Sequence, residues 1–97
     1  MNFKEEFHPK IKADLKKLDK SVINDIKTIH LDKIVKNPFN NEKLQGDLKS
    51  LYSYHFRKNS VDYRIAYEVY ENTIIFYIMI AKRENFYKNI KQRKKGK

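Results

Sequence analysis

Cysteine is absent from the 97 residues, which excludes a disulfide framework and any thiolate metal site. His8, His30 and His55 are too scattered for a zinc site, so no metal is expected. Two glycines and two prolines leave no Gly-rich phosphate loop and predict short connections; no cofactor is expected. The longest apolar stretch, residues 73–81, is far too short to cross a bilayer. The first ten residues, MNFKEEFHPK, lack an apolar segment of the signal-peptide kind. These absences predict a cytoplasmic protein with no membrane partner and no small-molecule cofactor. The length suits one domain over residues 1–97, with 94–97 expected to form a disordered basic tail.

Positive charge is what the chain has in excess. Lysine and arginine total 22 against 12 acidic residues, for a net charge of +10. Residues 1–37 carry nine cations and six anions, and residues 38–81 carry five of each. Residues 82–97 hold eight cations and one anion. An excess gathered at one end predicts a directed basic surface and a polyanionic partner, RNA foremost.

Periodicity gives the elements. Residues 2–7 alternate weakly, as an edge strand does. Pro9 suits the first turn of a helix, and Ile11, Leu15, Leu18 and Val22 recur at helical spacing. Asp19 or Ser21 can cap a second helix whose apolar positions are Val22, Ile23, Ile26, Ile29, Ile34 and Val35. Asn37-Pro38 ends it, because the residue before proline avoids the helical region. Residues 39–50 read as a connection. Residues 51–58 alternate, with Tyr52, Tyr54 and Phe56 against Ser53, His55 and Arg57. Residues 63–70 alternate likewise, after a polar loop at 58–62. Residues 73–81 are apolar on both parities, as in a strand covered on both faces. Glu71-Asn72 marks a two-residue turn. Phe86, Tyr87 and Ile90 predict a last helix over residues 84–93. The fold class is α+β, in the order β-α-α-β-β-β-α. An antiparallel sheet carries an N-terminal αα-hairpin on one face and a C-terminal helix, and the other face is partly open for a ligand.

Alternation places Ser53, His55 and Arg57 on one strand face, and Arg64 joins them if the neighbouring strand pairs in register. Lys82-Arg83 leaves the next strand nearby, and Tyr87 follows about one helical turn later. Arginine offers a planar fork of donors matched to phosphate. Histidine titrates near neutrality and can accept a hydroxyl proton. Such a set could cleave RNA without a metal, the 2′-hydroxyl attacking the adjacent phosphate. Lys58, Lys82, Lys88, Lys91 and Arg93 are expected to contact RNA phosphates collectively. Tyr52, Tyr54 and Tyr67 are expected in the core, and His8 and His30 in structural or solvated positions.

Four runs also resemble a known family: Lys43-Leu44-Gln45-Gly46, Tyr52 to Arg57, Asp62 to Tyr67, and Ile80 to Glu84 followed by Tyr87. With "K-L-x-G", "Y-R-x-x-Y" and "K-R-E" in this order, the chain resembles the RelE branch of the RelE/ParE toxin superfamily. The resemblance implies the toxin of a type II toxin–antitoxin pair that cuts messenger RNA in the ribosomal A site. Its partners would be a cognate acidic antitoxin, the ribosome with its rRNA, and mRNA. Carried over by motif, Arg64 is a phosphate-stabilising residue and Arg83 acts on the transition state or leaving group. Tyr87 orients or stacks on the nucleotide, and Arg57 is a basic residue on the strand below. The RelE pattern has lysines where this chain has Ser53 and His55. Other ribosome-dependent members use histidine or glutamate as base, which gives that role to His55.

The catalytic set implied is His55, Arg64, Arg83 and Tyr87. The RNA-binding set is Ser53, Arg57, Lys58, Lys82, Lys88, Lys91 and Arg93. The rival readings are a ParE-like toxin that inhibits DNA gyrase, an RNA-binding module without chemistry, and an inactive relative that only binds antitoxin. ParE-type chains tend to end the central strand with a histidine-aromatic-lysine pattern, where this chain has Lys82-Arg83-Glu84.

Overall fold

Two tight turns set the register of the sheet. Asn59 and Ser60 have φ of 52° and 67°, and Glu71 and Asn72 have 54° and 56°. Paired left-handed residues are what a two-residue hairpin turn demands, because their twist matches that of the flanking strands. The first turn joins β3 (Tyr52–Lys58) to β4 (Val61–Tyr70), with Lys58 opposite Val61. The second joins β4 to β5 (Ile74–Lys82) and is closed by the Thr73 amide donating to the Tyr70 carbonyl at 2.9–3.0 Å spacing typical of such bonds, here 3.0 Å. The computed structural model describes residues 3–84 and 86–96. Asn2, expected to open the first strand, and Lys97, expected in the tail, lie outside them.

Among the described residues five strands form one sheet in the order β1 (Lys4–Phe7), β5, β4, β3, β2 (Glu42–Lys43). The sheet expected as antiparallel is so from β2 through β5. β1 (Lys4–Phe7) instead runs parallel to β5, pairing Lys4 with Ile74 and Phe7 with Tyr77. β1 is followed by the N-terminal helices, so its return to the sheet is governed by long-range packing rather than a local turn. β2 (Glu42–Lys43) lies in the stretch read as a connection and pairs with Ser53 and Tyr52. A bulge disturbs β5: Ala66 faces Met79 but Tyr67 faces Tyr77, leaving Ile78 unpaired with β4.

The alternation read from β3 and β4 sorts their side chains onto two layers. Tyr54, Phe56, Tyr63, Ile65 and Tyr67 meet Ile11, Val22, Ile26 and Ile34 of the N-terminal helices. Cross-strand stacks tie that layer together, Phe56 on Tyr63 at 5.1 Å and Tyr52 on Tyr67 at 5.3 Å between centroids. The helices are α1 (Ile11–Lys16), α2 (Lys20–Asp25) and α3 (Leu31–Lys36), the last two joined without a break by a π-helical turn over Ile26–His30. The turn brings His30 onto the sheet, stacked at 3.9 Å on Phe56 with Nδ1 2.8 Å from the Tyr54 hydroxyl. Ile29, expected among the apolar contacts, is 41% exposed. Asp19 is the residue before α2, and its side chain makes no capping bond.

The opposite face carries a second core of Leu44, Leu48, Leu51, Ala66, Ile78 and Met79. α4 (Phe86–Gly96) closes it with Phe86 and Ile90. Fully burying two such side chains contributes about 1.5–3 kcal/mol each. The face expected to be open is therefore covered in part, and exposed surface remains around His55 and Arg57 of β3 and Asp62 near the start of β4. α4 also runs beyond the expected limit at Arg93. Lys94, expected to begin a disordered tail, sits in the helix and reaches Glu68 at 3.0 Å.

Arg93, expected to contact RNA, is engaged within the fold by Asp14 and the Ile78 carbonyl. β1 pairs only with Ile74 to Tyr77, so the rest of the β5 edge needs other partners. Asp14 Oδ2 accepts from the Ile80 amide at 3.0 Å, and Arg93 donates to the Ile78 carbonyl at 3.0 Å. The two side chains also pair with each other, at 2.6 and 2.9 Å. A carboxylate and a guanidinium thus occupy the positions a further strand would take, which shields the edge from pairing with another chain.

Candidate functional site

The sheet places His55 directly opposite Arg64, and both side chains leave on the face away from the N-terminal helices. Alternation adds Arg57 and Asp62 to that face. Arg83 joins them because β5 continues past its last residue: the Arg83 amide donates to the Asp62 carbonyl at 2.9 Å. His55, Arg57, Asp62, Arg64 and Arg83 line one shallow pocket of about 360 Å³ together with Phe56 and Tyr63. The imidazole and guanidinium groups singled out in the sequence are thus brought together from three strands.

Arg64 and Arg57 in the pocket have local restraints. The Arg64 guanidinium donates to the Tyr87 hydroxyl at 3.1 Å and lies over the rings of Tyr87 and Phe86, at 5.4 and 5.5 Å from their centroids. Cation–π contact and a hydrogen bond together hold the planar fork in one orientation. Tyr87 is 46% exposed. Arg57 pairs with Asp62 at 3.6 Å, an exposed contact worth about 0–1 kcal/mol.

Glu42 is the site residue the sequence reasoning missed. Its Oε1 lies 3.1 Å from His55 Nε2, which is also 3.1 Å from Ser53 Oγ. A carboxylate only accepts hydrogen bonds, so the nitrogen facing it carries hydrogen and Nδ1 keeps its lone pair. Partial burial presses the imidazole below its ordinary value of 6.5, and Arg64 and Arg83 add to that. Glu42 pulls in the other direction. The balance leaves a neutral imidazole at neutral pH, the form that can accept a proton. Glu42 could hardly have been found by pattern, since a two-residue strand has no alternation to show.

The position of β2 follows from the core. The Tyr67 hydroxyl donates to the Pro38 carbonyl at 2.6 Å and accepts from Asn41 Nδ2 at 2.8 Å. Burial pushes that hydroxyl up to about 12, so it stays a neutral donor. One buried tyrosine thereby fixes the turn leading into Glu42. Gly46, at φ +64°, then starts the short turn Gly46–Leu48 that returns the chain to β3. A second depression of about 320 Å³ lies beside this turn, lined by Glu42, Lys43, Gln45, Tyr87 and Lys91 among others. Glu42 and Tyr87 are its links to the groups of the first pocket.

Several residues expected to bind RNA are placed elsewhere. Ser53 is 2% exposed and supports the imidazole. Lys58 pairs with Asp25 of α2 at 2.7 Å, on the helical side of the sheet. Lys82 stands opposite Tyr63, so it also points away from His55. Lys88 and Lys91 are exposed on α4, and Lys91 borders the second depression. Tyr54 and Tyr67 are core residues, as expected, and Tyr52 packs against that core.

The five-stranded sheet with paired helices on one face and a terminal helix on the other defines the RelE-like α+β class. A family model described as the ParE-like toxin of type II bacterial toxin–antitoxin systems matches residues 6–91, and the chain belongs to that family. Its fold is shared with solved toxins of the RelE kind. A mutant of the Escherichia coli toxin RelE in the free state superposes with a TM-score of 0.75 at 22% identity, over 96% of this chain and 94% of that one. The toxin–antitoxin complex RelBE2 of Mycobacterium tuberculosis gives 0.72 at 18% identity, over 86% and 100%. The intact Escherichia coli RelBE complex gives 0.67 at 20% identity, over 84% and 98%. None of the curated proteins matches the chain. Among the described residues, no helix is long and apolar enough to cross a membrane.

Proposed function

We propose that this type II toxin is a ribosome-dependent endoribonuclease, and that His55, Arg64, Arg83 and Tyr87 carry its chemistry. The observation that carries the reading is the convergence of the His55 imidazole with Arg64 and Arg83 in one pocket. His55 takes the proton of a ribose 2′-hydroxyl through Nδ1, while Glu42 and Ser53 hold the ring. The freed oxygen attacks the adjacent phosphorus. Arg64 and Arg83 stabilise the charge that grows on the phosphorane oxygens, which is usually the largest catalytic contribution. The bond to the 5′-oxygen breaks and that oxygen takes up a proton from water, leaving a 2′,3′-cyclic phosphate and a 5′-hydroxyl, while the His55 imidazolium returns its proton to solvent. The nucleophile belongs to the substrate, so the step needs no metal, and DNA cannot undergo it. The half-exposed Tyr87 ring is offered to a base. A shallow pocket positions a flexible strand poorly, which assigns part of the positioning to the ribosomal A site.

The partners in this reading are messenger RNA, ribosomal RNA and a cognate acidic antitoxin suited to a net charge of +10. The related RelBE structures are complexes of toxin with antitoxin. The setting is the cytoplasm.

Primer extension on ribosome-bound messenger tests the reading. Codon-phased breaks are expected with the wild type, and none with His55→Ala or Arg83→Ala. The description of the matching family as ParE-like favours a second reading, a toxin that blocks DNA gyrase without cutting RNA. Inhibited gyrase supercoiling with intact messenger would establish that reading in place of the first.

A further inference from the structure

A second basic depression lies on the far side of the turn that follows β5. It has a volume of about 450 Å³ and runs along the free edge of β5 between α1 and α4. α1 and its flanks supply Lys10, Asp14 and Lys17, which fall on one helical face. α4 supplies Asn89, Gln92 and Arg93, again one face at spacings of three and four. β5 supplies Lys82. The Asp14–Arg93 pair forms the floor and neutralises itself. Among the described residues no ion pair engages Lys10, Lys17 or Lys82, and all three are exposed. Three uncommitted ammonium groups and two carboxamides face a single exposed carboxylate, Glu84. The groove therefore presents cationic and neutral hydrogen-bond donors along its rims, above a floor to which Leu18, Met79, Ile80 and Ala81 also contribute.

We propose that this groove binds the phosphate backbone of single-stranded RNA as a site separate from the catalytic pocket. The inference rests on RNA being the partner of that pocket. Lys82 faces the groove and Arg83 faces the pocket, and consecutive residues lie about 3.8 Å apart along the chain. The two depressions meet at that turn, so one strand crossing it engages both. Lysines contact phosphates as point charges and read no base, so the groove adds affinity and register without sequence preference. It gives Lys82 an RNA contact on the side of the sheet opposite the one its sequence neighbours suggested.

The test is the salt dependence of binding to a 2′-O-methyl oligoribonucleotide, which offers phosphates but no nucleophile. Replacing Lys10, Lys17 and Lys82 together by glutamine should make the slope of log affinity against log salt shallower by about 2, roughly 0.7 per lysine. Affinity at low salt should fall by about tenfold to a hundredfold. Glu84→Gln removes the opposing charge and should tighten binding a few-fold, a gain that misfolding cannot produce. An unchanged slope in the triple variant, with no gain from Glu84→Gln, overturns the proposal while leaving the cleavage reading intact. Loss of affinity for an acidic antitoxin peptide with an unchanged RNA slope also overturns it, assigning the groove to a protein. If the slope shifts as expected but His55→Ala leaves messenger breaks unaltered, the groove stands and the catalytic reading falls.

Discussion

Replacing Arg93 by methionine removes its two bonds to Asp14 and its bond to the Ile78 carbonyl. Asp14 is 7% exposed and Arg93 14%, so the carboxylate left behind has little water to turn to. Breaking a buried ion pair from one side costs about 3–5 kcal/mol. A domain of this size has roughly 5–15 kcal/mol in total. Asp14→Leu should cost a similar amount, since it strands the guanidinium and the Ile80 amide together. The double variant Asp14→Leu/Arg93→Met removes both charges at once. What remains is the unbonded Ile80 amide and Ile78 carbonyl, about 1–3 kcal/mol each. The double variant should thus be more stable than either single one, with a coupling energy of about 3 kcal/mol or more. Urea unfolding followed by circular dichroism measures this directly. With a slope near 1–2 kcal/mol per molar, each single change should lower the midpoint by about 2 M, and the second change should restore part of it. If the two losses simply add in the double variant, the pair is not the clasp that joins α1, β5 and α4.

Three further outcomes follow from the site. Arg64→Ala should slow ribosome-coupled cleavage by about 10²–10³, and Tyr87→Phe by roughly tenfold, the worth of one hydrogen bond to a charged group; equal losses would show that Tyr87 does more than hold Arg64. In the wild type the acidic limb of the rate–pH profile should lie below the ordinary histidine value of 6.5, because only the neutral imidazole accepts a proton. Glu42→Gln removes the carboxylate that raises the His55 pKa, so the limb should move to still lower pH while the plateau rate falls; a shift to higher pH would contradict the assigned contact. Ser60→Gly should raise stability by up to about 1 kcal/mol, because a serine at φ 67° bears a steric penalty that glycine lacks; a loss in the thermal midpoint would count against it.

The pairing of His55 with Arg64 was legible because it depends on local facts: alternation along each strand and a polar break of the right length between them. The same alternation also places Lys58 with Tyr52, Tyr54 and Phe56, away from the pocket. Grouping it with the site by charge overrode the stronger signal of parity. Arg93 repeats that lesson on a helix. It follows Phe86 and Ile90 at spacings of four and three, which is the buried stripe. The parallel pairing of β1, the two-residue strand carrying Glu42 and the bulge at Ile78 had no such local signature. Each is settled by packing between segments distant in sequence.

The π-helical turn at Ile26–His30 has its own consequence. Val22, Ile26, His30 and Ile34 face the sheet at a constant spacing of four, whereas an α-helix advances 100° per residue and drifts off such a row. The extra residue in the wide turn corrects that drift midway. Deleting one residue between 27 and 29 would let the segment wind as an ordinary α-helix and would keep His30 and Ile34 on the row, at spacings of three and then four after Ile26. The wide turn holds the one residue that the helical repeat does not need. Changes of length in this segment should therefore be tolerated best there.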